Sequence, residues 1–139
     1  GQLDVMSEGL LLLTDDVTFS NKLVHAKSAH ENEYLVQVDH PIEMSVIKRM
    51  QAGMKFEHGI TLPTKVRKID QTRFAIVLHE STPQQIRHMC DAVGYHIRAL
   101  VRTRILTLRM SSNYPLGNWR HLTETEVTAL KKALGMKGS

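Results

Sequence analysis

Four consecutive leucines, Leu10 to Leu13, constrain this chain more than any other stretch. Such a run is far too short to cross a bilayer, so protein must cover it. Bracketed by Gly9 and by Asp15-Asp16, it is expected to form a short strand covered on both faces. Leucine is a weak strand former, so a buried helical turn is the alternative. Asp4 precedes the run by a few residues and falls in the loop that feeds it. A carboxylate there either caps a turn or is displayed as a reactive group by the rigid element behind it.

A chain of 139 residues, 42% hydrophobic and 23% charged, is expected to form one domain over residues 1–139 with a real core. No apolar stretch approaches a membrane span, and no secretory pattern opens the sequence. The single cysteine, Cys90, excludes an internal disulfide framework and suits a reducing cytoplasm. No membrane partner is expected, and the oligomeric state is not legible.

The net charge of +4 is unevenly spread. Residues 1–70 hold 8 Lys and Arg against 10 Asp and Glu, whereas residues 71–139 hold 10 against 4. Six arginines, no lysine and one acid, Asp91, lie from Arg87 to Arg120. Arginine is the better residue for forked contacts to phosphate. A concentrated basic half therefore points either to nucleic acid or to a solvated surface.

Periodicity fills in the elements. Asp16 is placed to cap a helix carrying Phe19, Leu23 and Val24 on one face. Ser28 to Glu33 reads as a loop, and Tyr34, Val36 and Val38 then mark one face of a strand. Pro41 stands in a helix-starting position, Val46, Ile47 and Met50 mark the buried side of that helix, and Gly53 ends it. Met54 to Asp70 reads as one or two strands with turns at Gly59 and Pro63, and Phe74, Ile76 and Leu78 mark a clearer strand. Thr82-Pro83 opens a helix with Ile86, Met89, Cys90 and Val93 as its core stripe, leaving Arg87 off the stripe. Tyr95 to Met110 is strand-like. If it is regular, Arg98, Arg102 and Arg104 share one face, turned to solvent, acids or a polyanion, because unpaired buried charge is costly. Thr123 and Glu126 form a capping box for a last helix carrying Val127, Leu130 and Leu134, closed by Gly135. The fold class expected is α+β, with a mixed, largely antiparallel sheet and flanking helices.

The eight histidines contain no paired ligand spacing and Cys90 has no cysteine partner, so no metal site is expected. No phosphate-binding glycine loop, dinucleotide fingerprint or nucleophile elbow is present. Cys90, at a core position, reads as packing. Four ordered segments remain. Gln2-Leu3-Asp4 followed by Ser7-Glu8-Gly9 and the leucines to Thr14 resembles the G-R-L-D-x-x-S/T-x-G-L-L-L-L-T motif of pseudouridine synthases. Glu33-Tyr34-Leu35-Val36 is similar to their K-x-Y-x-V element, and Gln85-Ile86-Arg87-His88-Met89-Cys90 to their R-Q-I-R-R-M-C helix. Arg102-Thr103-Arg104-Ile105 and Pro115 to Thr123 resemble the C-terminal strand and the G-x-x-R-x-L-T signature. Together these cover essentially the whole chain and resemble the RsuA/RluB/RluE/RluF group, the RluF type most.

The resemblance implies cofactor-free conversion of a uridine in structured ribosomal RNA, large-subunit before small, to pseudouridine. It implies Asp4 as the catalytic carboxylate, Arg87 as the cation that keeps it ionised in a dry pocket around a flipped base, and Tyr34 as stacking partner and proton-transfer group. Ile105 and Leu116 would supply apolar wall, and Arg98, Arg102, Arg104 and Arg120 would hold phosphates. Without the resemblance, Tyr34 reads more readily as a core tyrosine and Arg87 as a surface partner of Glu80 or Asp91.

Four basic family positions differ. Gln2 stands for the arginine associated with base flipping, Asn32 for a lysine, and Gln84 and His88 for arginines. RNA affinity is expected to be weaker for it. The family's K-P-x-G segment and small S4 domain have no counterpart in the sequence, so an N-terminally abbreviated catalytic domain is expected, with an exposed sheet edge or a partner to complete it.

Overall fold

The computed structural model describes residues 6–25, 31–56, 59–60, 63–79, 83–111 and 115–136. Along the chain these form β1 (Glu8–Gly9), α1 (Val17–His25), β2 (Asn32–Val38), α2 (Met44–Ala52), β3 (Lys55–Phe56), β4 (Gly59–Ile60), β5 (Val66–Lys68), β6 (Arg73–Leu78), α3 (Pro83–Ala92), β7 (Ile97–Ile105), β8 (Leu108–Arg109) and α4 (Glu124–Ala133). The main sheet runs β1-β7-β2-β6-β5, with β8 also on β7, and β3 and β4 pair separately. β1 lies parallel to β7 and every other pairing is antiparallel. This is the α+β, mixed and largely antiparallel architecture expected from the sequence.

Tyr34, Val36 and Val38 project from β2 into one core cluster with Leu100 and with the stripes Ile47 and Met50 of α2 and Ile86, Met89 and Cys90 of α3. Burying one such aliphatic side chain contributes about 1.5–3 kcal/mol, which is why these stripes set the orientation of both helices. Burial also pushes the Cys90 thiol up to about 12, so Cys90 is inert packing at neutral pH. A second cluster gathers Phe19 of α1, Leu130 and Leu134 at α4, and Ile105, Leu106 and Leu108 at the β7–β8 turn. The capping expectations hold at Asp16 and Thr123, and Thr82 lies outside the described residues. Asp16 Oδ1 accepts the Phe19 amide at 3.0 Å, and Thr123 and Glu126 form a reciprocal capping box.

The leucine run is not a strand covered on both faces. β1 stops at Gly9, and the segment leaves the sheet edge after Leu10. With only one side facing protein, Leu10 and Leu12 pack on the second cluster while Leu11 and Leu13 are 54% and 84% exposed. Val24 likewise turns outward from α1. Asn32 and Glu33 belong to β2 rather than to a loop, Gly59 lies in β4 rather than in a turn, and α2 starts after Glu43, with the Pro41 carbonyl accepting the Tyr95 hydroxyl at 3.0 Å.

β7 departs from regularity in a way that matters for the site. Its ladder with β2 shifts between Glu33 and Tyr34 and again between Gln37 and Val38. Tyr34 pairs with Arg102 and Glu33 with Arg104, so Thr103 is an extra, bulged residue. Neighbours on β2 face opposite ways, and the bulge therefore sends Arg102 and Arg104 to opposite faces. The Thr103 hydroxyl donates to the Glu33 carbonyl at 3.2 Å, and the Thr103 carbonyl accepts the Met110 amide at 2.8 Å, which satisfies the interrupted backbone. The single arginine face expected for Arg98, Arg102 and Arg104 does not exist.

Candidate functional site

The site is built where the segment carrying β1 meets α3 and the middle of β2 and β7. α3 turns Ile86, Met89 and Cys90 into the core and leaves Arg87 half-buried beside them. From there Arg87 Nη2 donates to Ser7 Oγ at 3.5 Å, a long contact that ties α3 to the N-terminal segment. On the other flank of that segment, the Arg102 guanidinium Nε donates to the Leu10 carbonyl at 2.8 Å, and the Leu10 amide donates to the Arg102 carbonyl at 2.9 Å. Gly9 makes the approach possible: at φ +116°, a Cβ added there would lie 2.3 Å from the Arg102 carbonyl oxygen.

Tyr34 sits opposite Arg102 in the ladder with 0% of its surface exposed. Its buried hydroxyl completes no hydrogen bond of acceptable geometry among the described residues. Burial pulls the Arg102 guanidinium below its ordinary range, and the Tyr34 phenol beside it acts in the opposite sense. Tyr34, Arg87 and the segment that follows Asp4 are thus brought together, with Arg102 between Tyr34 and that segment. Asp4 and Gln2 themselves lie outside the described residues, as does Glu80, the surface partner considered for Arg87.

The other candidates scatter. Arg98 lies exposed at the second ladder shift. Arg102 is only 1% exposed, which removes it from phosphate contact and corrects that expectation. Ile105 is buried in the second cluster, and Leu116 is 81% exposed. Arg120 holds both carboxylate oxygens of Glu126 at 2.7 and 2.8 Å. That pairing brings the Glu126 carboxyl down to about 2.

Arg104 is committed on the far face of the sheet, where it reaches Glu33 at 3.2 Å, Glu31 at 3.3 Å and the Leu106 carbonyl at 2.6 Å. Arg67 and Arg109 join Glu33 at 3.2 and 3.4 Å. Burial works to raise the Glu33 carboxyl, but the bond from Arg104 and the charges of Arg109 and Arg104 hold it below the usual range. Glu33, Arg67, Arg104 and Arg109 line an open cavity of about 820 Å³ on the side of the sheet away from Tyr34. Sequence reasoning missed Glu33 as the centre of this network. The one available signal was the acid surplus of the first half, whose Glu31 and Glu33 neutralise arginines of the second. Among the described residues no cluster of three or more His, Cys, Asp or Glu could hold a metal ion, and no helix is long and apolar enough to cross a membrane.

A family model for RNA pseudouridylate synthase matches residues 1–92. The dual-specificity RNA pseudouridine synthase RluF of Escherichia coli K12 is 41% identical over 134 residues, covering 96% of this chain and 46% of that protein. The ribosomal small subunit pseudouridine synthase A of Vibrio cholerae is 32% identical over 134 residues, covering 95% of this chain and 58% of the relative. A crystal structure of a pseudouridylate synthase superposes with a TM-score of 0.86 at 30% identity, over 94% of this chain and 57% of that one. The chain thus spans about half the length of the relatives it matches. By sequence, motif order and fold, the chain belongs to the RNA pseudouridylate synthase family and is of the RluF/RsuA type.

Proposed function

We propose that this protein isomerises a uridine in ribosomal RNA to pseudouridine, without a cofactor, in the cytoplasm. The observation that carries the reading is that Arg87 and Arg102 both hold the segment following Asp4, with Tyr34 buried across the ladder. In this reading the N1–C1′ glycosidic bond of the uridine breaks, the freed uracil turns, and C5 bonds to C1′. The proton leaves C5 and N1 regains one, so the reaction is balanced without an external reagent. Asp4 is the carboxylate that drives the exchange, as nucleophile or as base toward the sugar. Arg87 supplies the positive charge that keeps Asp4 ionised once the flipped base has displaced water. Tyr34, 0% exposed in this structure, meets the uracil and serves the proton transfer at C5 once the entering base opens the packing over its ring. Large-subunit RNA is the substrate class this reading favours, on the resemblance of the chain's motifs to the RluF type.

The test is release of tritium from C5-labelled uridine in ribosomal RNA. We expect release by the wild type and its loss in Asp4→Ala; a folded wild type that releases none refutes the enzyme. A second reading is a non-catalytic RNA-binding or ribosome-assembly module, for which exposed Arg98 is a retained basic group while Arg104 and Arg120 are committed to internal carboxylates. Gln2, Asn32 and His88 further reduce the charge offered to RNA. For that module, binding falls steeply with salt and survives Asp4→Ala.

A further inference from the structure

We infer that Arg102 is a positioning residue: it fixes the segment that follows Asp4 against Tyr34 and makes no contact with RNA phosphate. The inference rests on the catalytic reading above for its consequence, but its geometry stands separately. Arg102 is 1% exposed and lies on the face of β7 that carries Leu100 into the core. Its Nε holds the Leu10 carbonyl, its own carbonyl holds the Leu10 amide, and Gly9 is pressed onto its backbone. Tyr34 is its ladder partner. The bulge at Thr103 is what separates it from Arg104, which serves the far face.

A guanidinium is an expensive choice for that place. Replacing a buried charge by an apolar side chain of similar volume is often neutral or stabilising, so stability alone does not call for arginine here. What an apolar residue lacks is the directed N–H donor to Leu10 and a fixed positive charge beside the Tyr34 phenol. The lowering of the Arg102 pKa by burial fits a charge kept under strain at a working site. A displacement of about 1 Å in a reacting group costs on the order of 100-fold in rate, and Arg102 holds the segment that follows Asp4 in the sequence.

The experiment compares Arg102→Met, Arg102→Lys and Arg98→Gln with the wild type by C5-tritium release, RNA affinity across a salt series, and amide hydrogen exchange. For Arg102→Met we expect turnover to fall about 100-fold, an unchanged RNA affinity and salt dependence, and faster exchange at the Leu10 amide with the β2–β6 ladder unaffected. Arg102→Lys should restore part of the turnover, and it serves as the test if the methionine variant does not fold. Arg98→Gln, at an exposed position, should instead lower the salt slope. Turnover within threefold of wild type, or a reduced salt slope for either Arg102 variant, overturns the inference. Should the wild type release no tritium, the catalytic reading fails, and exchange at Leu10 still decides: unchanged protection overturns the clamp and lost protection supports it.

Discussion

Replacing Gly9 by alanine puts the contact between β1 and β7 to a direct test. Alanine at φ +116° is in a region that costs roughly 1–3 kcal/mol for a residue with a side chain. Its Cβ would also fall 2.3, 2.5 and 2.9 Å from the oxygen, nitrogen and carbon of Arg102, all backbone atoms that cannot rotate away. Staying docked is therefore dearer than leaving. Leaving gives up the Leu10 amide bond, worth about 1 kcal/mol, and the charged bond from Arg102, worth about 1.5–3 kcal/mol. The segment should detach at a cost of about 2.5–4 kcal/mol, because the smaller of the two losses sets the outcome. Hydrogen exchange should show the Leu10 amide losing protection while amides of β2 and β6 keep theirs, and urea unfolding should show a lower midpoint. A variant that keeps Leu10 protected and unfolds within about 0.5 kcal/mol of wild type, the ordinary range for a surface change, would refute the argument.

Other outcomes follow from the same structure. Double-mutant cycles on Glu33 should give a larger coupling with Arg104, whose side chain is 13% exposed, than with Arg67 or Arg109, both 68% exposed and expected near 0–1 kcal/mol. Equal couplings would show that burial is not what sets the strength of this network. Glu126, held near 2 by Arg120, stabilises the fold above its unfolded-state value near 4.5, and that contribution is lost as pH falls from about 4.5 toward 2. NMR titration of Arg120→Ala should show the Glu126 carboxyl moving up toward its ordinary range. Leu130→Ala, at a fully buried position in the second cluster, should cost about 2–5 kcal/mol by chemical denaturation. Cys90 should resist alkylation at pH 8 in the native protein and react once denatured, since burial keeps its thiol protonated.

The parts of this molecule that sequence reveals are those governed by local rules. The alternation of Tyr34, Val36 and Val38, the stripe Ile86, Met89 and Cys90, and the caps at Asp16 and Thr123 each depend on residues a few positions apart, and all are present in the structure. The errors arise where a distant partner decides. Leu11 and Leu13 are exposed because the run leaves the sheet after Leu10 and turns Leu10 and Leu12 to the second cluster, and no local pattern states where a strand loses its partner. Arg102 and Arg104, two residues apart, read as one face until the partner strand imposes a bulge. Arg120 reads as a phosphate grip until Glu126, six residues on, takes both of its arms. Tyr34 and Arg87 were singled out through the resemblance, and their placement about the segment that carries β1 needed the fold. The network at Glu33 was invisible because its members come from four strands or strand ends.

The pairing of Glu8 with Val101 has a consequence for the order of events during synthesis. Glu8 leaves the ribosome long before the strand it needs, and at roughly 5–20 residues per second the wait is on the order of 5–20 s. Through that interval the segment with the family's carboxylate motif has no β7 to dock on, and its leucines stay open to chaperones or to wrong partners. Non-local parallel pairing of this kind forms late. The segment that carries the motif is thus made early and docked late.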